Sequence, residues 1–380
     1  MDAAIQKIKD IYTQADEDTR KSIKHEINNL QTFFRSDLDL VSLMADGPVR
    51  FGMAKVGIDL GTFEMLRDHG GSLSTAQLAE KSGAAPELLE RVLRAQATFN
   101  LIDQTGDDEF KANRLTGILA DEHASALLSH QYELFGPAFS ALPSFLKARA
   151  YKPVTSSKDT AFQQAHNTTL TSFEFLTQHP EHMEHFEKGM KMMYYDNWWF
   201  DVYPVRSEAT TRSLPGETLL IDLGGCQGQQ AIAFRAKFGD VPGRVVVQDM
   251  PETLAGAGPA EGVELIAHDF FTPQPIERAK FYYMRRVLHD WPDEECVRIL
   301  RNIVPVMAPD SRIIIDEMVL PERDVPEFAV YIDVTMFAAN GGAERTTKEW
   351  KALLDRAGLR VLNVLPYDPK LMSVIEAVPK

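Results

Sequence analysis

The chain has 380 residues, 44% of them apolar and 25% charged, and 55 acidic against 40 basic residues leave a net charge of −15. That length makes two or three folding units with a sizeable core, and the composition excludes disordered, collagenous and low-complexity classes. The acidic excess, with no run of lysine and arginine to oppose it, argues against nucleic acid as a partner. Two cysteines, Cys226 and Cys296, are too few for a disulfide framework or a cysteine-built zinc site. The start MDAAIQKIKD has no apolar signal core, and no stretch approaches the roughly eighteen apolar residues of a membrane span. A cytoplasmic protein without a membrane partner is expected.

Residues 1–45 read as one or two amphipathic helices, an arm whose apolar stripe needs a partner surface. From 55 to 118 the pattern is helix, turn, helix and then a hairpin around Gly106, the outline of a winged helix. Ser74 and Thr75 are candidate N-caps, Gly83 a C-terminal stop and Pro86 a first helical residue. Arg91 and Arg94 are offset by Glu87 and Glu90, and the wing carries Asp107, Asp108 and Glu109, so packing against protein is favoured over DNA binding. Residues 120–205 are helical again and rich in aromatics and methionine, with His130, Met190, Met193 and Trp198 among them. The segment GMKMMYYDNWWF reads equally as core or as the wall of an apolar pocket for a flat ligand.

Near residue 215 the texture changes to short β-branched runs alternating with helices. Strands are expected at 217–225, 244–250, 263–270, 280–288 and 311–319, with a final pair around RVLNVLPY and MSVIEAV. Helices are expected near 228–238, 293–307 and 347–357. This is a doubly wound α/β pattern with a parallel sheet, whose ligands bind at the carboxyl ends of the strands. The expected division is 1–120, 121–214 as a helical linker and lid, and 215–380 as the sheet domain.

Those strand ends carry the candidate chemistry. In IDLGGCQGQ, Asp222, Gly224, Gly225 and Gly228 stand where a strand turns into a helix, giving close backbone approach and amide donors. Such turns serve dinucleotides, phosphates and S-adenosylmethionine (SAM) alike. Asp249 ends the next strand, where a carboxylate can accept ribose hydroxyls, and Asp269-Phe270 ends the third, offering a carboxylate and an aromatic face to an adenine. Each aspartate alone would read as a turn former before a proline; the pair beside a glycine loop points to a ligand. His289 follows the fourth strand, Glu317 ends the fifth and Glu344 precedes a helix, so the three converge on one rim. A histidine is the natural base at neutral pH, and carboxylates at its far nitrogen would fix its tautomer. No second histidine stands at ligand spacing nearby, which argues against a metal.

LLIDLGGCQGQ, VVVQDMPETL, HDFFTPQP, YYMRRVLHDWPDEEC, IDEMVLP and GGAERTTKEW resemble, in order and spacing, the motifs of SAM-dependent O-methyltransferases of the plant caffeate type and their fungal relatives. The resemblance runs from about residue 50 to the end. It implies a Rossmann-like class I methyltransferase sheet behind a helical, winged-helix dimerisation domain, and a homodimer. It also implies SAM contacts at Gly224, Gly225, Asp249, Asp269, Phe270 and Arg285, with His289 as base flanked by Glu317 and Glu344. Asp333, in YIDVTMF, falls in the stretch that lines the acceptor pocket. An aromatic or polyketide-derived small molecule is the implied substrate. Two departures stand out. Cys226 replaces a glycine usual in the plant enzymes. The chain also resembles leporin-type pericyclases of the same fold, which carry a histidine matched here by His130 but an arginine in place of the base. In that alternative, His130 with Arg285 or Arg286 would polarise a carbonyl. Retention of His289, Glu317 and Glu344 favours methyl transfer.

Overall fold

A computed structural model describes residues 2–192, 198–209, 216–258, 260–368 and 371–380. The chain forms two compact units, one ending at Asp121 and the other running from Glu122 to Lys380.

In the first unit the arm is three helices, Asp2–Gln14, Glu17–Phe33 and Asp37–Ala45, where the hydrophobic periodicity suggests one or two. The breaks are set by caps: Asp16 accepts from the Thr19 amide, and Ser36 forms a reciprocal box with Asp39. Large apolar side chains stay exposed along it, among them Ile8, Leu30, Phe33 and Leu38. Four helices follow, Gly47–Leu60, Thr62–His69, Thr75–Ser82 and Pro86–Thr98, and then the hairpin of β1 (Asp103–Gly106) and β2 (Glu109–Lys111). Ser74 caps its helix and Thr75 is the first helical residue; Gly83 ends it in a left-handed conformation. The wing folds back through a bridge between Leu73 and Phe110, and the Asp108 carboxylate accepts from the Thr75 amide. That acidic wing residue therefore ties the hairpin to the helix.

The second unit is built on β3 (Thr218–Leu223), β4 (Arg244–Asp249), β5 (Val263–Ala267), β6 (Phe281–Arg285), β7 (Arg312–Leu320), β8 (Arg345–Thr346), β9 (Leu359–Pro366) and β10 (Met372–Pro379). The sheet order is 5-4-3-6-7-10-9, with β8 beside β7. Strands β3 to β8 pair in parallel, while β10 runs antiparallel to both β7 and β9, so the parallel sheet of the sequence reading is completed by an antiparallel edge. Side chains alternate across it. Tyr282, Met284, Ile313 and Ile315 join a core with helices Asp293–Ile303 and Thr347–Arg356, whereas Phe281, Tyr283 and Ile314 join one with Trp199 and Phe234. Both faces are covered, which is why these strands read as continuous apolar runs.

Helices between 122 and 209 belong to this same unit. A further helix, Glu327–Asn340, is absent from the sequence reading because it is apolar nearly all round and gives no amphipathic period. Its Ala338 and Ala339 pack with Phe135, Phe162 and Leu176 of the 122–178 segment. Among the described residues no helix is long and apolar enough to cross a membrane.

Candidate active site

Strand β3 is wholly buried, and the chain leaves it through Gly224 (φ +69°), Cys226 (φ +51°) and Gly228 (φ +85°) before helix Gln229–Lys237. A Cβ on Gly224 would stand 2.8 Å from Val287 and 3.7 Å from the Phe270 ring, so this glycine lets the ends of β3 and β6 close on one point. A Cβ on Gly225 would collide with the Asp222 carboxyl at 2.6 Å. Asp222 lies buried beneath the turn, its pKa pushed up to about 7 by desolvation and by the nearby Asp249, and its Oδ2 has no hydrogen-bond partner. Asp249 steadies the turn: Oδ2 accepts from the Cys226 amide at 2.8 Å and Oδ1 from the Met250 amide at 2.7 Å. The Cys226 side chain is reached by solvent yet set deep among acidic groups. Burial pushes its thiol up to about 12, helped by Asp249, Asp222, Asp290 and Glu187. The thiol thus stands at the surface among carboxylates at the end of β3.

His289 sits on a short turn, Leu288–Asp290, directly after β6. Its Nδ1 lies 2.7 Å from Glu344 Oε1. Because a carboxylate can only accept, Nδ1 carries the hydrogen and Nε2 is left as the basic atom of the neutral ring. Glu317 does something the sequence reading did not expect. Its Oε1 accepts the amide hydrogens of Val287, Leu288 and His289 at 3.0, 3.0 and 3.3 Å, so it holds the turn and not the far nitrogen. Burial works against the imidazolium, but Asp290, Glu317 and Glu344 outweigh both it and Arg286, and the His289 pKa is raised to about 9. Burial likewise raises Glu317, while contact with His289 keeps Glu344 below the usual range against its own burial. His289, Glu317 and Glu344 bring one donor atom each within 4.8 Å of one another; Oε1 of each carboxylate is engaged with main-chain amides or with His289, while Glu317 Oε2 and Glu344 Oε2 are buried without a hydrogen-bond partner.

Three residues that sequence reasoning passed over hold this turn in place. A Cβ on Gly342 would lie 2.0 Å from the His289 carbonyl oxygen, so only glycine lets the Glu344 loop approach; the Ala343 amide then donates to that oxygen at 3.0 Å. Arg345, next to Glu344, donates to the carbonyls of Leu288 and Trp291 at 3.2 and 3.0 Å. Asn340 donates to Asp290 Oδ1 at 3.2 Å. Glycine before an acidic-basic pair was the available signal; the contacts themselves span about fifty residues of chain.

The other candidates fall in different places. Asp269 accepts from the Phe271 amide, and Phe270 packs edge-on to Trp291 with ring centres 5.9 Å apart, both at the carboxyl end of β5. Arg285 ends β6, and its guanidinium pairs with the buried Asp316 at 3.3 Å; Arg286 is the one that reaches Glu344, at 3.9 Å. Asp333 accepts from the Glu344 amide at 2.8 Å, so it positions the loop behind His289. His130 is buried at the end of helix Glu122–His130, between the Phe135 and Phe186 rings, with Nδ1 unpaired. Met190 is half-buried on helix Pro180–Lys191. Trp198 stacks on Phe200 at 5.6 Å against the core around Trp199 and Phe234, so the sheet face accounts for it and the His289 turn does not. Met193 lies outside the described residues.

Comparison with known proteins gives a consistent answer. Residues 150–360 match the family model of the O-methyltransferase domain, and residues 44–119 that of the O-methyltransferase dimerisation domain. Demethylsterigmatocystin 6-O-methyltransferase of Aspergillus parasiticus is 44% identical over 380 residues, covering 100% of this chain and 98% of the relative. The solved complex of LepI with SAM superposes with a TM-score of 0.91 at 33% identity, covering 100% of this chain and 98% of that one. OxaC in complex with SAH and oxaline gives 0.88 at 25% identity, with 100% of both chains covered. The glycine turn, the acidic strand ends and the His289 centre stand on the fold these proteins share, and the chain belongs to the O-methyltransferase family as a SAM-dependent enzyme.

Proposed function

We propose that this enzyme methylates a phenolic hydroxyl of a polyketide-derived aromatic metabolite, with His289 as general base, and that it works as a homodimer in the cytoplasm. The hydrogen bond from His289 to Glu344 carries the reading, because it points a defined basic nitrogen at whatever enters from the Nε2 side. A phenol has a pKa near 10, so its proton must leave as the oxygen attacks. Nε2 takes that proton, the Glu344 carboxylate stabilises the imidazolium that results, and Glu317 keeps the turn from drifting. Bound SAM supplies an electrophilic methyl group on a sulfonium centre. The residues present suit it: the glycine turn leaves main-chain room, Asp222 keeps one buried carboxylate oxygen unpaired, and the acidic groups around Cys226 complement a cation. Gly224, Gly225, Asp249, Asp269 and Phe270 would hold the cofactor.

The substrate class is supported by the relative at 44% identity, whose name specifies demethylsterigmatocystin, and by the aromatic packing of the 122–191 helices. There His130 and Met190 are the described candidates for acceptor contacts. The dimer is supported by the matched dimerisation domain and by the exposed apolar side chains of the arm, such as Phe33 and Leu38. Cyclisation without methyl transfer is the weaker reading, since it leaves the His289–Glu344 pair without a task. Transfer of a labelled methyl from SAM to a phenol tests the proposal.

A further inference from the structure

Nδ1 of His289 is taken by Glu344, so an acceptor hydroxyl has only Nε2 to use. That atom is not open on all sides. Asp290 Oδ1 stands 3.6 Å from it, too far for a hydrogen bond and less than 1 Å from making one. Asp290 is half-buried, and an imidazolium is its natural partner, so something must hold the two apart. The structure shows what does. Asn340 Nδ2 donates to the same Asp290 oxygen at 3.2 Å, and Asn340 Oδ1 in turn accepts from the Ser172 hydroxyl. The orientation of the amide is fixed by its partners, because a carboxylate only accepts and the hydroxyl is left to donate. Asn340 is 5% exposed and Ser172 4%, so the contact between them is shielded from water, and that to Asp290 is partly so.

Ser172 is the first residue of helix Ser172–Gln178. The strap before that helix is tied down by its own contacts: the Ser157 amide and hydroxyl both donate to Glu295 Oε1 at 3.2 Å, and the Thr160 hydroxyl donates to the Ala339 carbonyl at 3.0 Å. Phe173, beside Ser172, stacks on Trp291 at 6.1 Å. The start of this helix therefore reaches Asp290 through Asn340 and touches Trp291 directly.

We propose that Ser172 and Asn340 are positioning residues that hold the Asp290 carboxylate back from His289 Nε2 and so keep the base open to the acceptor. This rests on His289 being the base. Four groups face the imidazole: Asp290 on its own turn, Arg286 at the end of β6, Glu317 from β7 and Glu344 from the loop before β8. Of these, only the Nε2-side carboxylate is tethered through a neutral amide to another helix. With the tether cut, Asp290 closes on Nε2, the imidazolium gains a direct partner, and the base becomes harder to deprotonate.

The test is a titration of the histidine ring by nitrogen-15 NMR in the ligand-free full chain, with the His289 signal identified by its loss in His289→Gln. Ser172→Ala and Asn340→Leu are expected to raise the His289 pKa by half a unit or more, Ser172→Thr to leave it at the wild-type value, and Asp290→Asn to lower it. Phe173→Ala removes a contact of the same helix but not the tether, and is expected to leave the pKa in place. An unchanged or lowered value in Ser172→Ala and Asn340→Leu overturns the proposal, as does an equal rise in Phe173→Ala, which would mean general loosening of the helix. Failure of the base reading shows separately, as methyl transfer surviving in His289→Ala.

Discussion

Glu317 accepts three amide hydrogens from the turn that carries His289, while Glu344 alone accepts from the His289 ring. Two carboxylates that look interchangeable in the sequence thus have different tasks, one fixing the backbone and the other the tautomer. Glu344→Gln can present its NH2 group to Nδ1 and so select the wrong tautomer; it should lower kcat about 10²-fold or more with little loss of stability. Glu317→Gln keeps an oxygen for the amides and should stay within about tenfold of wild type. Glu317→Leu strands three buried amides and should cost about 3 kcal/mol or more in urea unfolding. Equal kinetic losses in Glu344→Gln and Glu317→Gln would contradict this division.

Gly342→Ala places a methyl group where the His289 carbonyl oxygen stands, 2.0 Å from its centre. Neither backbone is a flexible end that can yield, so the Glu344 loop must move. We expect at least a hundredfold loss of kcat and a lowered melting temperature. Retained activity in a folded Gly342→Ala protein would show that the loop does not need this approach.

Much of the catalytic half is legible in the sequence, and for a reason. Strands β3, β4, β6 and β7 are buried on both faces, so they appear as unbroken apolar runs, and Asp249, Asp269 and His289 fall at or just after strand ends; Glu317, expected to end its strand, lies inside β7, paired with Ser373 of β10. Position before a helix places Glu344 on the same rim as His289, but its hydrogen bond to Nδ1, across fifty-five residues of chain, is seen only in the structure. The Ser172–Asn340–Asp290 line was invisible: its contacts span 168 and 50 positions, and serine and asparagine at those places look like any cap or helix end. Helix Glu327–Asn340 escaped because a helix apolar nearly all round, its exposed Val330, Tyr331 and Val334 included, has no amphipathic period. The resemblance points to Arg285 as a cofactor contact and leaves both arginines open for the alternative chemistry; only the structure shows that Arg285 turns to Asp316 and Arg286 to Glu344.

Cys226 adopts a left-handed backbone (φ +51°), which costs an L-residue about 1–2 kcal/mol. Glycine there removes that cost but returns about 0.5–1 kcal/mol in unfolded-chain entropy. Cys226→Gly should therefore be neutral to stabilising by up to about 1.5 kcal/mol and keep SAM affinity within a few-fold, since the Asp249 contact is made by the main-chain amide. A loss of stability above about 1 kcal/mol, read by thermal unfolding, would mean that the thiol itself contributes.

Burial pushes the His130 imidazole down to about 4, with His182 and His185 adding to the effect against Glu133. The native ring stays neutral where the unfolded one, titrating near 6.5, takes a proton. Stability is therefore lost as pH falls from 6.5 toward 4, by about 2 kcal/mol between pH 7 and 5. His130→Leu should remove that part of the slope, measured as the change in urea midpoint between those two pH values. An unchanged slope would place the acid sensitivity elsewhere.

Methyl transfer to a hydroxyl with His289 as the base is read out by incubating the full chain, and its His289→Ala variant, with methyl-labelled SAM and a phenolic polyketide such as demethylsterigmatocystin. The wild type is predicted to give a labelled methyl ether with one SAH released per product, and the variant to be slower by about 10²-fold or more. A substrate that isomerises while SAM is recovered unchanged, or a variant less than about tenfold impaired, would contradict it.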